Sequence, residues 1–142
     1  MTTFVIKKNL LIDASPSLVF DALTNSNNII QYFPLKEVVS TWEVGSDIIL
    51  KGSNGGQDFI DYGRIEIFSP NKKFQYTYWS DNHGTDRLPE NYLTICYTLH
   101  EVDKGTNLEL EHKNFKSEKM YSEMLKIWDL LLSNLKNFVE RK

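Results

Sequence analysis

Hydrophobic and polar residues repeat with two different periods along this chain of 142 residues, and each change of period marks a new predicted element. Residues 3–12 are rich in β-branched and apolar types and predict a strand. The serine and proline at 15–16 supply a helix N-cap and a first helical residue, and the apolar residues of 18–23 recur at helical spacing. A second short helix over 29–33 is expected to end before Pro34, because a residue that precedes proline disfavours the α conformation.

Between Val38 and Lys113 the pattern predicts a meander of antiparallel strands. Clusters of Gly, Asn, Asp and Ser cut this segment into pieces of strand length, within which apolar and polar types alternate. The alternation assigns one set of positions to the core: Phe74, Tyr76, Tyr78, Leu93, Ile95, Tyr97, Leu99, Leu108 and Leu110. The intervening residues, such as Thr77 and Cys96, are expected to face solvent. The long connection over 80–91 is either a functional lid or a loose hairpin loop.

After Ser117 the apolar residues recur every three or four positions and predict one long helix that reaches about Arg141. Its apolar stripe is formed by Met120, Met124, Trp128, Leu131, Leu135 and Phe138. A face this wide needs an equally wide partner, and only the inner face of the preceding sheet is large enough. The predicted fold class is therefore α+β: a strand, two short helices, a curved antiparallel sheet and a long C-terminal helix across its concave face.

Composition places the chain among single-domain globular proteins, since 41% of its residues are hydrophobic and 25% are charged. We therefore expect one domain over 1–142. A net charge of -3 without a basic segment argues against nucleic acid as a partner. The lone Cys96 excludes an internal disulfide and a cysteine-based zinc site, and no motif calls for a metal or a cofactor. Because no apolar run is long enough to cross a membrane, we expect a cytoplasmic protein without membrane insertion.

Four stretches, in chain order, carry a resemblance to a known family. They are 13–24 (DASPSLVFDALT), 63–79 (GRIEIFSPNKKFQYTYW), 105–112 (GTNLELEH) and 127–135 (IWDLLLSNL), the last with Ile127 in place of the usual glycine. Together they resemble the START-like (SRPBCC, Bet v 1-like) superfamily and, within it, the family of homologues of the activator of heat-shock protein 90 ATPase.

The resemblance implies a helix-grip fold, in which sheet and long helix enclose an elongated apolar cavity. Members of the superfamily use this cavity for lipids, sterols, polyketides or other hydrophobic molecules, and a few add catalysis. Eukaryotic co-chaperones of the family carry a further chaperone-contacting domain. The 142 residues leave no room for one, so activation of heat-shock protein 90 is not expected here.

The first functional hypothesis is the binding of a small hydrophobic or amphipathic ligand between the sheet and the long helix, without catalysis. Such a site would be a largely apolar, closed cavity of about 300 Å³ or more. Aromatic residues make up 13% of the chain, and their hydroxyl and indole groups need partners inside an apolar interior, either a ligand or one another and water. The candidate ligand-binding residues are Ile65, Phe74, Tyr76, Tyr78, Ile95, Tyr97, Leu108, Leu110, His112, Met124, Trp128 and Leu131.

Two other hypotheses remain open. His112 continues the inward phase of Leu108 and Leu110 and matches the family histidine, so a cyclase- or hydrolase-type enzyme could use it as a base. This requires His112 to be reachable from the cavity, within about 3 to 5 Å of a second polar group. The plainer interpretation is a histidine satisfied by a neighbouring backbone group. A protein partner such as a chaperone would instead need an exposed apolar patch on the outer sheet face or around Trp79 and 80–91.

Two other residue pairs are excluded as catalytic couples. Four residues of strand separate the Cα atoms of Cys96 and His100 by roughly 13 Å, which is too far for a thiolate–imidazole pair. Asp58 and Asp61 have opposite pleat phase, so they are not placed as an acid–base pair.

Overall fold

The computed structural model describes residues 4–54, 56–80, 85–103 and 105–141. In this part of the chain the strands are β1 (Ile6–Ile12), β2 (Glu37–Ser40), β3 (Asp47–Asn54), β4 (Gln57–Ser69), β5 (Lys73–Ser80), β6 (Leu93–Val102) and β7 (Gly105–Lys113). The α-helices are α1 (Pro16–Leu23), α2 (Ser26–Tyr32) and α3 (Glu118–Glu140). The strands form one curved antiparallel sheet in the order β1-β7-β6-β5-β4-β3-β2, which confirms the predicted α+β helix-grip class.

The two short helices begin at side-chain caps. The Ser15 hydroxyl accepts a hydrogen bond from the backbone N–H of Leu18, and Pro16 is the first residue of α1, as the sequence predicts. α2 begins at Ser26, earlier than predicted, because the Asn25 side chain caps it by accepting from the N–H of Asn27 at 3.0 Å. It ends at Tyr32, and the next residue is extended, as expected before a proline.

The strand register brings the predicted inward residues together on the concave face. Phe74 lies opposite Tyr97, Tyr76 lies opposite Ile95, and Tyr78 lies opposite Leu93. A β-bulge between Ile65 and Ile67 shifts the register of β4 against β5. These contacts concentrate the aromatic side chains over the centre of the sheet, where α3 covers them.

The outer face of the sheet is less exposed to solvent than predicted. Cys96 was expected to face solvent but is buried at 7% exposure, between its cross-strand neighbours Gln75 and Glu111. Trp79 is also buried, and the hydroxyl of Thr85 accepts a hydrogen bond from its indole N–H at 3.2 Å. Alternation along a strand reveals the pleat phase but does not reveal which later segment covers the other face.

Polar contacts with β1 and the turn after it fix the long helix. Asp129 on α3 pairs with Lys8 at 2.7 Å, the Lys136 ammonium donates to the carbonyl of Leu11 at 2.9 Å, and Glu140 accepts from the backbone N–H of Asp13 at 2.7 Å. The predicted apolar stripe of α3 faces the sheet. Trp128, Leu131 and Leu135 are buried, whereas Met120, Met124 and Phe138 are half-buried. No helix in the described ranges is long and apolar enough to span a membrane.

Candidate ligand-binding cavity

A cavity of about 170 Å³ lies between the concave face of the sheet, α2 and α3. Its wall is almost entirely apolar and is formed by Leu23, Ile29, Tyr32, Phe33, Pro34, Leu35, Ile48, Leu50, Phe59, Asp61, Phe74, Tyr76, Tyr78, Ile95, Tyr97, Met124, Trp128 and Leu131. The expectation of 300 Å³ or more was wrong, because the aromatic side chains occupy part of the space. The rings both fill the interior and line what is left of it.

Eight of the candidate residues lie on the cavity wall: Phe74, Tyr76, Tyr78, Ile95, Tyr97, Met124, Trp128 and Leu131. The other four, Ile65, Leu108, Leu110 and His112, are buried in the surrounding core and do not line the cavity. Leu108, Leu110 and His112 belong to β7, whereas the sheet residues on the wall come from β3 to β6. That any of the twelve contacts a ligand stays a prediction.

Sequence reasoning missed the wall residues of α1, α2, β3 and β4 and those of the connection after α2. Phe59 and Asp61 share the pleat phase of Ile65, so extending the alternation of β4 by a few positions would have found both. Phe33 and Leu35 flank Pro34 in an irregular segment, where no periodicity marks the side that faces the cavity. The wall therefore includes the carboxylate of Asp61, a residue that the sequence considerations weighed only as an acid–base partner of Asp58.

Four tyrosines line the cavity, and their hydroxyl groups differ in their partners. The Tyr32 hydroxyl donates to the carbonyl of Ala22 at 2.8 Å, and the Tyr78 hydroxyl lies 3.2 Å from Nε2 of His112. The hydroxyls of Tyr76 and Tyr97 make no hydrogen bond within the described part of the chain, although both residues are more than nine-tenths buried. Burial raises the pKa of all four phenols well above 10, so each keeps its proton at neutral pH.

His112 lies at the centre of a buried hydrogen-bonded chain, behind the cavity wall. The indole N–H of Trp128 donates to Nδ1 of His112 at 2.9 Å, so Nδ1 carries no proton. A neutral imidazole then carries its proton on Nε2, which donates it to the Tyr78 hydroxyl. The rings of Trp128 and Phe115 enclose the imidazole, with the Phe115 centroid 4.4 Å away.

This geometry bears on the enzyme hypothesis in two ways. The second polar group that it required is present, since Tyr78 lies within hydrogen-bonding distance of His112. However, His112 does not reach the cavity, and the Nε2 lone pair that a general base would use is occupied by a proton. The arrangement suits His112 to orient Tyr78 and Trp128, which do reach the cavity.

The remaining polar candidates lie away from the cavity. His100 is exposed and its Nε2 lies 3.2 Å from a carboxylate oxygen of Glu109, while burial raises the pKa of the Cys96 thiol. Asp58 is exposed and pairs with Lys36 at 3.2 Å. Because Trp79 is buried, it does not supply the exposed apolar patch that the protein-partner hypothesis required there.

Comparison with known proteins places the fold in a family. The family described as Activator of Hsp90 ATPase homolog 1-like protein matches residues 13–140. The solution structure of ChR145 from Cytophaga hutchinsonii is 33% identical, with a TM-score of 0.84, and the match covers 99% of this chain and 97% of that one. No match was found among curated proteins.

Two further structures show the same fold at lower identity. MLL2253 from Mesorhizobium loti is 19% identical with a TM-score of 0.81, over 97% of this chain and 98% of that one. The Aha1 dimer from Colwellia psychrerythraea is 22% identical with a TM-score of 0.76, over 99% of this chain and 97% of that one. With nearly the whole chain matched, this protein belongs to the family of Activator of Hsp90 ATPase homolog 1-like proteins.

Proposed function

We propose that this protein binds a small amphipathic molecule, about the size of one aromatic ring with a short polar substituent, in the cavity between sheet and α3. A dry apolar cavity of about 150 Å³ is large enough to hold benzene. The cavity here has a volume of about 170 Å³ and a predominantly apolar wall. Proteins with this type of fold commonly hold hydrophobic ligands, which supports the same function.

The observation that carries the proposal is the pair of tyrosine hydroxyls on the wall that lack a partner within the described residues, those of Tyr76 and Tyr97. These two hydroxyls are not fully enclosed, so they can hydrogen-bond to whatever occupies the cavity, a ligand or water. Because both phenols stay protonated at neutral pH, each can donate a hydrogen bond to a polar atom of a ligand. The ligand therefore combines an apolar body with at least one hydrogen-bond acceptor.

A pair of tyrosine variants tests this role, with 2-phenylethanol as the probe. In the free protein, Tyr97→Phe should leave the free energy of unfolding unchanged or raise it, since no hydrogen bond is lost. Tyr32→Phe should lower it by about 0.5–1.5 kcal/mol, because the bond to Ala22 disappears. In titrations followed by tryptophan fluorescence, Tyr97→Phe should weaken binding several-fold, and an unchanged affinity would argue against a ligand role for this hydroxyl.

A second pair of variants tests the location. Met124→Trp places a large ring into the cavity from α3 and should abolish binding of 2-phenylethanol. Met120→Trp makes the same change one turn earlier on the same helix, at a half-buried residue that does not line the cavity, and should leave the affinity nearly unchanged. If both variants bind the probe as the parent protein does, the ligand site is elsewhere.

A further inference from the structure

The side on which the cavity opens can be located from the wall residues that reach solvent. Most of the wall is buried. The wall residues that keep part of their surface exposed are Phe33, Pro34, Leu35, Phe59, Asp61 and Met124. They lie on the connection after α2, on the first half of β4 and on the first half of α3. Among the described residues, these three segments therefore border the mouth of the cavity.

The Phe59 ring extends across part of this mouth. Phe59 on β4 lies directly opposite Gly52 on β3, where the inward series Ile48, Leu50, Gly52 ends in a residue without a side chain. A Cβ atom at Gly52 would lie 2.5 Å from Cζ of Phe59 and 3.2 Å from the carbonyl oxygen of Pro34. The ring thus occupies the space over Gly52 and reaches from β4 towards the connection after α2.

The backbone around the ring is fixed, whereas the ring itself is held less firmly. The N–H of Lys36 donates to the carbonyl of Lys51 at 2.8 Å, and the Lys36 ammonium pairs with Asp58 at 3.2 Å. Each of the other seven aromatic rings on the wall packs against another aromatic ring, but Phe59 makes no such contact within the described residues. Because its side chain is only half-buried, a change of rotamer is open to it.

We infer that Phe59 determines which ligands the cavity accepts: its ring, which lies on Gly52, closes the mouth and limits the length of the ligand. Rotation of the ring away from Gly52 opens the mouth, and the ligand enters and leaves there. This inference rests on the proposed function and adds to it a size limit and an entry route.

Two probes that differ by two methylene groups test the size limit, 2-phenylethanol and 4-phenyl-1-butanol, each titrated with tryptophan fluorescence as the readout. Two further methylene groups should raise the affinity about tenfold wherever they can be buried. The parent protein should bind the longer probe no more tightly than the shorter one. Phe59→Ala should bind the longer probe about tenfold more tightly than the shorter one, since the methylene groups fill the space that the ring vacates.

Ile60→Ala is the matched control, because Ile60 is the next residue of β4, is exposed and has the opposite pleat phase. It should show no preference for the longer probe, like the parent protein. Stopped-flow fluorescence with 2-phenylethanol tests the entry route. Phe59→Ala should raise the association and dissociation rate constants several-fold, whereas Ile60→Ala should leave both unchanged.

A double-mutant cycle tests the contact between Phe59 and Gly52 without any ligand. Gly52→Ala should lower the urea midpoint of unfolding, because the ring must move to accept the methyl group. The same substitution in Phe59→Ala should lower it less. An equal loss in both backgrounds would show that the ring does not lie on Gly52, and would overturn the inference.

The ligand measurements separate the inference from the proposed function. If the parent protein already gains tenfold from the longer probe, or if Phe59→Ala shows the same ratio of affinities as the parent, ligand binding stands but Phe59 does not limit it. Unchanged rate constants in Phe59→Ala would show that the ligand enters elsewhere. If the parent protein binds neither probe, the proposed function fails and the inference fails with it.

Discussion

The side chain of His112 shows how the neighbours of a residue decide its role. A histidine on the inner face of a sheet could be a base, a ligand-binding group or a structural partner, and its sequence position does not distinguish these. In the structure Trp128 donates to one ring nitrogen and the Tyr78 hydroxyl contacts the other, so the imidazole links the helix to the sheet. His112 therefore acts through two side chains that line the cavity.

Replacing Trp128 by phenylalanine tests this network. The variant keeps an aromatic ring but loses the N–H donor, and Nδ1 of His112 is left as a buried acceptor without that bond. We expect the free energy of unfolding, from urea titration, to fall by about 1–3 kcal/mol more than in Trp42→Phe. Trp42 is a suitable control because its indole N–H makes no hydrogen bond within the described residues.

Nitrogen NMR of His112 provides a second readout. The parent protein should show the tautomer protonated on Nε2, and Trp128→Phe should allow the other tautomer to appear. A parent protein that carries the proton on Nδ1 would contradict the proposed network.

Alternation along the strands predicted which tyrosines face inward, because pleat phase is a local property of the chain. It could not predict which hydroxyls are paired. Tyr78 and His112 are 34 positions apart, and their contact exists only once β5 and the end of β7 are placed in one sheet. The same alternation would have placed Asp61 on the inner face of β4. It could not show that Asp61 lines a cavity, because the wall of that cavity is built by several elements.

At the scale of elements, the pairing of β4 with β5 is the feature that most constrains the site, because these two strands carry Asp61, Tyr76 and Tyr78. They approach closely at Gly63, where a Cβ atom would lie 1.8 Å from the carbonyl oxygen of Thr77. No side chain fits there unless the strands move apart. The sequence contains this glycine in the motif that resembles the family, but periodicity alone gives no reason for it.

Gly63→Ala should therefore destabilise the fold by more than about 3 kcal/mol, since backbone atoms must move to accept one methyl group. The control is Gly45→Ala, at a turn residue with φ of +88° and no atom within 4 Å of the added Cβ. There only the left-handed backbone is penalised, at about 1–2 kcal/mol. Urea unfolding of the two variants compares the costs, and a loss at Gly63 no larger than at Gly45 would show that β4 and β5 can separate easily.

The sequence predicted where most helices and strands lie, but it did not predict which residues cover the outer face of the sheet. Caps and proline signals predicted α1 and the end of α2, because these signals act within a few residues. The Thr85 hydroxyl accepts a hydrogen bond from the Trp79 indole, and the Arg87 guanidinium lies 3.8 Å from the centroid of the Tyr62 ring. Such contacts depend on the path of an irregular segment, for which the sequence has no periodic pattern.

At the scale of the whole molecule, the size of the cavity results from all of its walls together. The resemblance to the family predicted that the sheet and the long helix enclose a cavity, and in the structure the sheet and α3 do so. Its free volume depends on how far α2 and the residues after it close over the sheet, and on how the aromatic rings pack. A change of one rotamer can alter a volume of 170 Å³ substantially, so no sequence pattern fixes it.

The burial of tyrosine side chains in this core makes the fold sensitive to alkaline pH. Burial raises the pKa of four of the seven tyrosines, Tyr32, Tyr76, Tyr78 and Tyr97, above their ordinary value of 10.0. The folded protein then keeps phenol protons that the unfolded chain loses above about pH 10. Because the unfolded chain binds fewer protons there, the free energy of unfolding falls as the pH rises, by up to about 1.4 kcal/mol per pH unit for each of these tyrosines.

Circular dichroism and ultraviolet absorbance, recorded together from neutral pH to about pH 12, should show these four phenols ionising only as the fold is lost. In Tyr97→Phe, one titrating group is absent, so the free energy of unfolding should decline less steeply above about pH 10. Ile95→Val serves as a control, because it weakens the same core by about 0.5–1.5 kcal/mol without removing a phenol. Its curve should run parallel to that of the parent protein; if the Tyr97→Phe curve is parallel as well, the buried hydroxyl exchanges its proton freely and the cavity is open to water.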